Sequence, residues 1–171
     1  ATRAAFAAGP PEPDPFSPRE FAVWRGLLRS YEWVTRELDR RLRSEHDLTF
    51  DAYGVLITLV TEPDGLAIGE LGERRNLSPS GISRAVDRVA RDGLVERRPN
   101  PADQRSFVVV LTDTGLRRLR AAQVTHHALV RERLLSRLDD RQLEQFAALW
   151  EAAVPGSVTS ARWPPPGDDA V

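Results

Sequence analysis

The segment from Ser78 to Gly93 places the narrowest limits on the fold, because its helix start and stop signals leave room for about four turns. Ser78 is a favourable N-cap residue and Pro79 a favourable first helical residue. Gly93 suits the left-handed conformation that ends many helices. The apolar side of the helix carries Ile82, Val86 and Val89, and the opposite side carries Ser80, Ser83, Arg84, Asp87, Arg88 and Arg91. The sequence therefore predicts a short helix with one buried face and one cationic face.

Signals on either side of this segment predict a mainly α chain with one small β-hairpin. Candidate N-cap residues for four further helices are Ser17, Thr49, Thr112 and Asp139, and the run GELGERR predicts a short helix that ends near Asn76. Leu94–Arg98 and Ser106–Leu111 flank a loop rich in Pro, Asn and Asp, which is typical of a hairpin. The predicted order is helix, helix, helix-turn-helix, hairpin, helix, helix.

The outer helices carry long apolar stripes. The stripe of the first helix comprises Phe21, Trp24, Leu28, Tyr31, Thr35, Leu38 and Leu42. The long helix after Thr112 is expected to contain Leu116, Leu119, Val130, Leu134 and Leu138, and the last helix carries Leu143, Phe146, Trp150 and Val154. The first stripe is longer than a small monomer needs, so a partner helix is expected.

The charge distribution points to a polyanionic partner. The whole chain has a net charge of −1, yet residues 74–105 contain eight arginines against four acidic residues. All cationic residues other than histidine are arginine, whose planar fork suits phosphates and guanine edges. Cysteine is absent, which excludes disulfides and thiolate catalysis. No apolar run is long enough to span a membrane and the first residues make a poor signal peptide, so we expect a cytoplasmic protein.

The helix at 79–92 and the short helix before it match a helix-turn-helix, whose second helix enters the major groove of DNA. The first turn of such a helix has to be small, and serine hydroxyls there can bond phosphates or base edges. A solvated helix face would have the same polarity, but the basic hairpin that follows favours DNA binding. From the helix we expect contacts by Ser78, Ser80, Ser83, Arg84 and Arg88.

A basic hairpin directly after a helix-turn-helix makes a winged helix, here with its wing tip at 99–105. Arg97 and Arg98 lead into the tip. A tip guanidinium can enter the minor groove, where narrow A-tracts have an enhanced negative potential, and Arg105 is placed to do so. Asp103 can hold the arginine or the loop in one conformation, or can simply form the turn, and both roles stay open. Contacts expected from the wing come from Arg97, Arg98, Asp103, Gln104 and Arg105.

The run LSPSGISRAVDRVARDGLVERRPNPADQRSFVVVLTDTG resembles the recognition helix and wing of the MarR family of bacterial transcriptional regulators. That family carries a similar S-x-x-T/S-R-x-V-D-R-L-x-x-x-G-L-V-x-R pattern, then D-x-R at the wing tip and L-T-x-x-G. The matching residues are Ser80, Ser83, Arg84, Val86, Asp87, Arg88, Gly93, Leu94, Val95, Arg97 or Arg98, Asp103, Arg105, Leu111, Thr112 and Gly115. The order of elements also fits, from about residue 17 to 154.

The resemblance implies a homodimer that binds a pseudo-palindromic double-stranded DNA operator. It assigns 17–48 and 112–154 to a helical dimerisation region and 49–111 to the winged helix-turn-helix. The Ala- and Pro-rich composition of residues 1–16 and the prolines of residues 155–171 predict mobile tails at both ends. The resemblance also implies repression that is relieved by a small ligand, often an aromatic acid, phenol or antibiotic. Candidate effector contacts are Trp24, Arg25, Tyr31 and His46, although the aromatic residues are better explained as core. No cofactor is implied.

Other classes of function fit the sequence less well. It contains no nucleophile elbow, Gly-rich phosphate loop or metal motif, so we do not expect an enzyme. His126 and His127 are adjacent on a helix and point about 100° apart, which makes them a poor metal chelate. The alternatives that stay open are a winged-helix protein-interaction module and a DNA-coating protein with weak specificity.

Overall fold

The computed structural model describes residues 15–100 and 103–159, without the side chains of residues 103–105. The helices are α1 (Pro18–His46), α2 (Phe50–Leu59), α3 (Ile68–Arg75), α4 (Pro79–Arg91), α5 (Asp113–Arg133) and α6 (Asp140–Ala153). The strands are β1 (Leu66–Ala67), β2 (Val95–Asn100) and β3 (Asp103–Leu111), and a 3-10 turn covers Leu135–Arg137. The predicted mainly α fold with a small hairpin is confirmed.

The predicted helix starts are confirmed. They could be predicted because each depends on a hydrogen bond between a capping side chain and the backbone of the first helical turn. Ser17 and Glu20 form a capping box before α1, as Asp139 and Gln142 do before α6. The hydroxyls of Thr49, Ser78 and Thr112 accept from the backbone N–H groups of Ala52, Gly81 and Gly115. The prediction that one helix runs from Thr112 through Leu138 is wrong. The α5 helix ends at Arg133, and a 3-10 turn follows at Leu135–Arg137. Leu138 is extended, as is Asp139, the N-cap residue of α6.

The sheet has three antiparallel strands in the order β1-β3-β2, of which the sequence predicted two. Strand β1 has only two residues, so it leaves no alternation to detect; Leu66 pairs with Val109. Gly65 precedes it with a positive φ of 79°, and a Cβ there would lie 2.5 Å from the carbonyl oxygen of Val109. Strand β2 extends past its predicted end to Pro99 and Asn100. Because β2 lies at the edge of the sheet, a proline without an N–H group is tolerated there.

The chain divides into two compact units, residues 1–33 and 34–171. In the described part of the first unit, α1 exposes most of its large apolar side chains, namely Phe21, Val23, Trp24, Leu28, Tyr31 and Trp33. The second unit has one apolar core, to which the winged-helix elements and α5 contribute; its fully buried members include Leu42, Leu56, Leu71, Val86, Val109, Leu119 and Leu129. Leu38 and Leu42, predicted as part of a stripe for a partner helix, belong to this core instead.

Residues 155–159, expected as the start of a tail, form a turn around the carboxylate of Glu151. The backbone N–H groups of Gly156, Val158 and Thr159 donate to Glu151, and so does the Thr159 hydroxyl. These hydrogen bonds lower the pKa of Glu151 to about 2, with the Gly156 N–H contributing most. Residues 15 and 16 of the expected N-terminal tail are described and precede α1, and the remainder of both expected tails lies outside the described residues.

Candidate nucleic-acid interface

Helices α3 and α4 are held together at a tight turn. Asn76 adopts the left-handed conformation with φ of 50°, and the Leu77 N–H donates to the Gly72 carbonyl at 2.9 Å. A Cβ on Gly72 would lie 3.2 Å from Cγ2 of Ile82, so glycine permits the close approach of the two helices. With Ile82 and Val86 buried, α4 presents its opposite face to solvent. This is the geometry of a helix-turn-helix.

The three serines expected to contact DNA have different hydrogen bonds. The Ser78 hydroxyl caps α4 by accepting from the Gly81 N–H at 3.2 Å. The Ser83 hydroxyl donates to the Pro79 carbonyl at 2.8 Å, which leaves only its lone pairs free to accept. Ser80 is exposed and lies 3.4 Å from the Ser78 hydroxyl. Ser83 is therefore suited to the amino groups of adenine or cytosine, and Ser80 to a donor or an acceptor.

The arginines differ in whether they already have an acidic partner. Arg88 pairs with Asp47 at 3.2 Å, and Arg97 of the wing pairs with Asp87 of α4 at 2.5 Å. Arg98 bonds to Glu96 through its Nε at 2.6 Å. Arg84 is exposed on α4 and has no ion pair within the described ranges. Arg84 can therefore bind a phosphate or a base without breaking an ion pair, whereas Arg88 on the same helix has to leave Asp47.

The Asp87–Arg97 pair has a structural consequence that sequence reasoning missed. It joins the middle of α4 to β2, so it favours one orientation of the wing relative to the recognition helix. Both groups are partly exposed, so the pair adds little stability. Its value lies in orientation, and the only signal in the sequence was an acid on an otherwise cationic face.

At the wing tip the backbone of Asp103, Gln104 and Arg105 belongs to β3, and the predicted contacts of their side chains lie outside the described residues. Behind the tip, the side-chain amide of Asn100 donates to the Ser106 hydroxyl at 3.1 Å. This hydrogen bond joins the two strands where the register shifts between Pro99 and Asn100. The strands are thereby held together close to the tip.

The candidate effector residues fall in different units. Trp24, Arg25 and Tyr31 lie on α1 in the first unit, where the Arg25 guanidinium sits 5.3 Å from the centre of the Phe21 ring. His46 lies in the second unit beside an open cavity of about 670 Å³. This cavity is lined by Arg43, Ser44, Glu45, His46, Asp47, Thr114, Arg117, Arg118 and Ala121.

His46 and its neighbours are tightly bonded. The Thr125 hydroxyl donates to Glu45 at 2.7 Å, so it must accept from Nε2 of His46 at 2.8 Å. Arg118 donates to the His46 carbonyl at 2.6 Å. The next residue, Asp47, has a positive φ of 52° and carries the carboxylate that holds Arg88. The end of α1 is therefore connected to both α5 and the recognition helix.

A partly buried polar cluster between α2, α3 and α5 was not predicted. The rings of Tyr53 and His126 stack with centroids 5.1 Å apart. Nδ1 of His126 and Nε of Arg75 are buried without a hydrogen-bond partner among the described residues. Burial raises the pKa of the Tyr53 hydroxyl, and the positive charge of Arg75 opposes this shift in part. Burial lowers the pKa of His126, and His127 lowers it further.

We expect His126 to make stability depend on pH. Because its pKa is lowered from the ordinary value of 6.5, the unfolded chain takes up a proton first as the pH falls. The free energy of unfolding should therefore decrease below about pH 6.5. His126→Phe keeps an aromatic ring beside Tyr53 and should reduce this decrease, as measured by urea unfolding between about pH 7.5 and 5.5. An unchanged pH dependence in the variant would show that His126 ionises as freely in the folded chain as in the unfolded one.

Among the described residues, no group of three or more His, Asp or Glu side chains could hold a metal ion. In that part of the chain, no helix combines the length and apolarity required to cross a membrane.

Comparison with known proteins agrees with this geometry. Residues 46–106 match the model of the MarR family. The regulator TtmR of Methylorubrum extorquens is 34% identical over 76 residues, which cover 44% of this chain and 38% of TtmR, so less than half of that relative is matched. The repressor IacR of Pseudomonas putida is 27% identical over 141 residues, 82% of each chain.

The solved structures extend the match to the whole fold. A MarR family transcriptional regulator from Streptomyces coelicolor, crystallised in complex with DNA, is 28% identical with a TM-score of 0.75. The superposition covers 86% of this chain and 92% of that regulator. Residues 46–106, which include the helix-turn-helix and most of the wing, thus match the MarR family, and the fold of the described residues is that of MarR family transcriptional regulators.

Proposed function

We propose that the protein is a sequence-specific, DNA-binding transcriptional regulator that acts in the cytoplasm as a homodimer. The observation that carries this proposal is the exposed face of α4, where Ser80 and Arg84 are available and the wing is fixed beside them through Asp87 and Arg97. The similar Streptomyces coelicolor regulator was crystallised with DNA, which supports the same ligand class for this chain.

In this proposal α4 enters the major groove and the wing tip enters the minor groove. Arg84 is suited to the O6 and N7 acceptors of a guanine, and Ser83 to an amino group. Arg88 and Arg98 have acidic partners, so we assign them to phosphates that compete with Asp47 and Glu96. Arg97 stays paired with Asp87 and offers its remaining N–H groups to a phosphate. Arg105 keeps its predicted place in the minor groove.

The exposed apolar side chains support the homodimer. In the first unit Trp24, Leu28 and Trp33 are exposed, and in the second unit Phe146 and Leu149 of α6 are exposed. Apolar surface of this extent is more than a soluble monomer usually leaves uncovered. A two-fold dimer would place two recognition helices about one DNA turn apart, so the operator should be a pseudo-palindrome.

The proposal includes repression that a small aromatic or antibiotic-like ligand relieves. IacR, a relative over most of its length, is a transcriptional repressor. The cavity beside His46 is lined by three arginines and by the acids Glu45 and Asp47, and Asp47 also pairs with Arg88. Arg117 has no acidic partner among the described residues and is the arginine that can meet an acidic ligand. A thermal-shift screen with phenolic acids tests this part, because a ligand of the folded state raises the melting temperature.

Selection of binding sites from random DNA tests the proposal as a whole. We expect a pseudo-palindrome, and Arg84→Ala should weaken operator binding about tenfold and relax the preference at one base pair of each half-site. Arg120→Ala, which removes an exposed arginine of α5, is the matched control and should bind like the wild type. A shallow preference over random DNA would favour the coating protein. No DNA binding by a folded dimer would favour the protein-interaction module.

A further inference from the structure

The wing exposes an apolar pair close to its tip. Pro99 of β2 lies directly opposite Phe107 of β3. Phe107 is 57% exposed, whereas Val109, the next residue on the same side of β3, is 0% exposed. Residues directly opposite in an antiparallel pair share a face, and so do residues two apart along a strand. Pro99, Phe107, Arg97 and Val109 therefore lie on one face of the hairpin.

The direction of this face follows from Arg97. Its guanidinium reaches Asp87 at the middle of α4, so the face is turned toward the recognition helix. Pro99 and Phe107 are each two residues nearer the wing tip than Arg97 and Val109. They therefore lie on the part of the hairpin that extends beyond the Arg97–Asp87 ion pair. They form an apolar surface on the side of the wing that carries Arg97. The Asn100–Ser106 hydrogen bond holds the strands together at this level, so the surface is kept in place.

The surroundings of the pair indicate what it would bind. Residues 74–105 contain eight arginines against four acidic residues, so the neighbourhood favours a polyanion. Among the groups of DNA, the deoxyribose rings that border the minor groove are apolar and lie between the phosphates. Many DNA-binding proteins place apolar side chains in the minor groove, where these side chains bend the DNA and add contact surface.

We propose that Phe107, supported by Pro99, packs against deoxyribose at the edge of the minor groove. This inference rests on the proposed function, because it requires α4 to hold the adjacent major groove. The contact is apolar, so it releases no counterions. It adds affinity that is independent of salt, whereas each arginine that binds a phosphate adds to the salt dependence.

The test is the operator affinity of Phe107→Ala, measured over a series of salt concentrations with the full chain. We expect the affinity to fall about tenfold at every salt concentration, which corresponds to burial of half a phenyl ring, with an unchanged slope against salt. Phe107→Leu should recover most of the loss. Arg98→Ala should instead reduce the slope by about one. Hydroxyl-radical footprinting should show that Phe107→Ala loses protection of sugars in the minor groove while protection around the recognition helix remains.

The outcomes separate this inference from the proposed function. If the wild type binds its operator and Phe107→Ala binds equally well, the inference is wrong and the regulator assignment stands; the pair would then suit a protein partner. A reduced salt slope in Phe107→Ala would also overturn it, since the residue would be acting through the arginines. If the folded wild type binds no DNA, both fail. Val60→Ala, which trims an exposed apolar residue at the end of α2, controls for nonspecific effects.

Discussion

Gly115→Ala is expected to destabilise the protein by about 3 kcal/mol or more, at the severe end of overpacking substitutions. A Cβ at position 115 would lie 1.9 Å from the carbonyl oxygen of Leu94 and 2.8 Å from Cδ1 of Leu111. The Leu94 carbonyl belongs to the backbone and also accepts from the Thr112 N–H, so it has little freedom to move. The start of α5 would have to shift away from the sheet.

Urea unfolding of the variant measures this effect, and Gly69→Ala is its matched control. Both glycines lie near the start of a helix, but a Cβ on Gly69 would meet no atom within 4 Å. Alanine there should stabilise the protein by about 0.5–1 kcal/mol, because it restricts the unfolded chain and favours the helix. If Gly115→Ala were as stable as the wild type, the close approach of α5 to Leu94 would be disproved.

Gly54→Ala is expected to cost about 2 kcal/mol, because α2 packs on the guanidinium of Arg75 at this position. A Cβ on Gly54 would lie 2.2 Å from Nη2 and 2.4 Å from Cζ of Arg75. The atoms in the way belong to a side chain, so the strain can be relieved by displacing Arg75. That displacement would disturb the last residue of α3, directly before the turn into α4, and DNA affinity should fall together with stability.

A double-mutant cycle separates this clash from other effects of the substitution. In an Arg75→Ala background the obstruction is gone, so Gly54→Ala should cost little or should stabilise α2 through its helix propensity. The coupling free energy between the two positions should then be at least about 1 kcal/mol. If Gly54→Ala lowered the free energy of unfolding equally in both backgrounds, Arg75 would not pack on Gly54.

Much of the interface could be predicted because its signals are local. The N-cap at Ser78, the alternation of Ile82 and Val86 with Ser80 and Arg84, and the left-handed Gly93 each depend on neighbours within a few residues. The wing strands were also predicted, though β3 begins three residues earlier than expected. Strand β1 was missed, because a two-residue strand exists only by pairing with β3.

The availability of each predicted contact residue could not be predicted. The sequence treated Ser83, Arg84, Arg88 and Arg97 alike, but the structure leaves Arg84 without an ion pair within the described ranges and commits the Ser83 hydrogen to Pro79. The face of the hairpin on which Phe107 lies could not be predicted either, because it follows from the register of β3 with β2. Register and ion pairing depend on residues that are distant in sequence.

The sequence by itself determined the order of the helices, their starting points, the cationic face of α4 and the resemblance to one family, because capping and periodicity act over one or two turns. Only the tertiary structure decided which arginines are engaged, how the wing is fixed to α4, and which glycines cannot be replaced. Asp47 and Arg88 are 41 residues apart, and Leu94 meets Gly115 across the hairpin. Such contacts arise when packing brings distant segments together, and no local pattern encodes them.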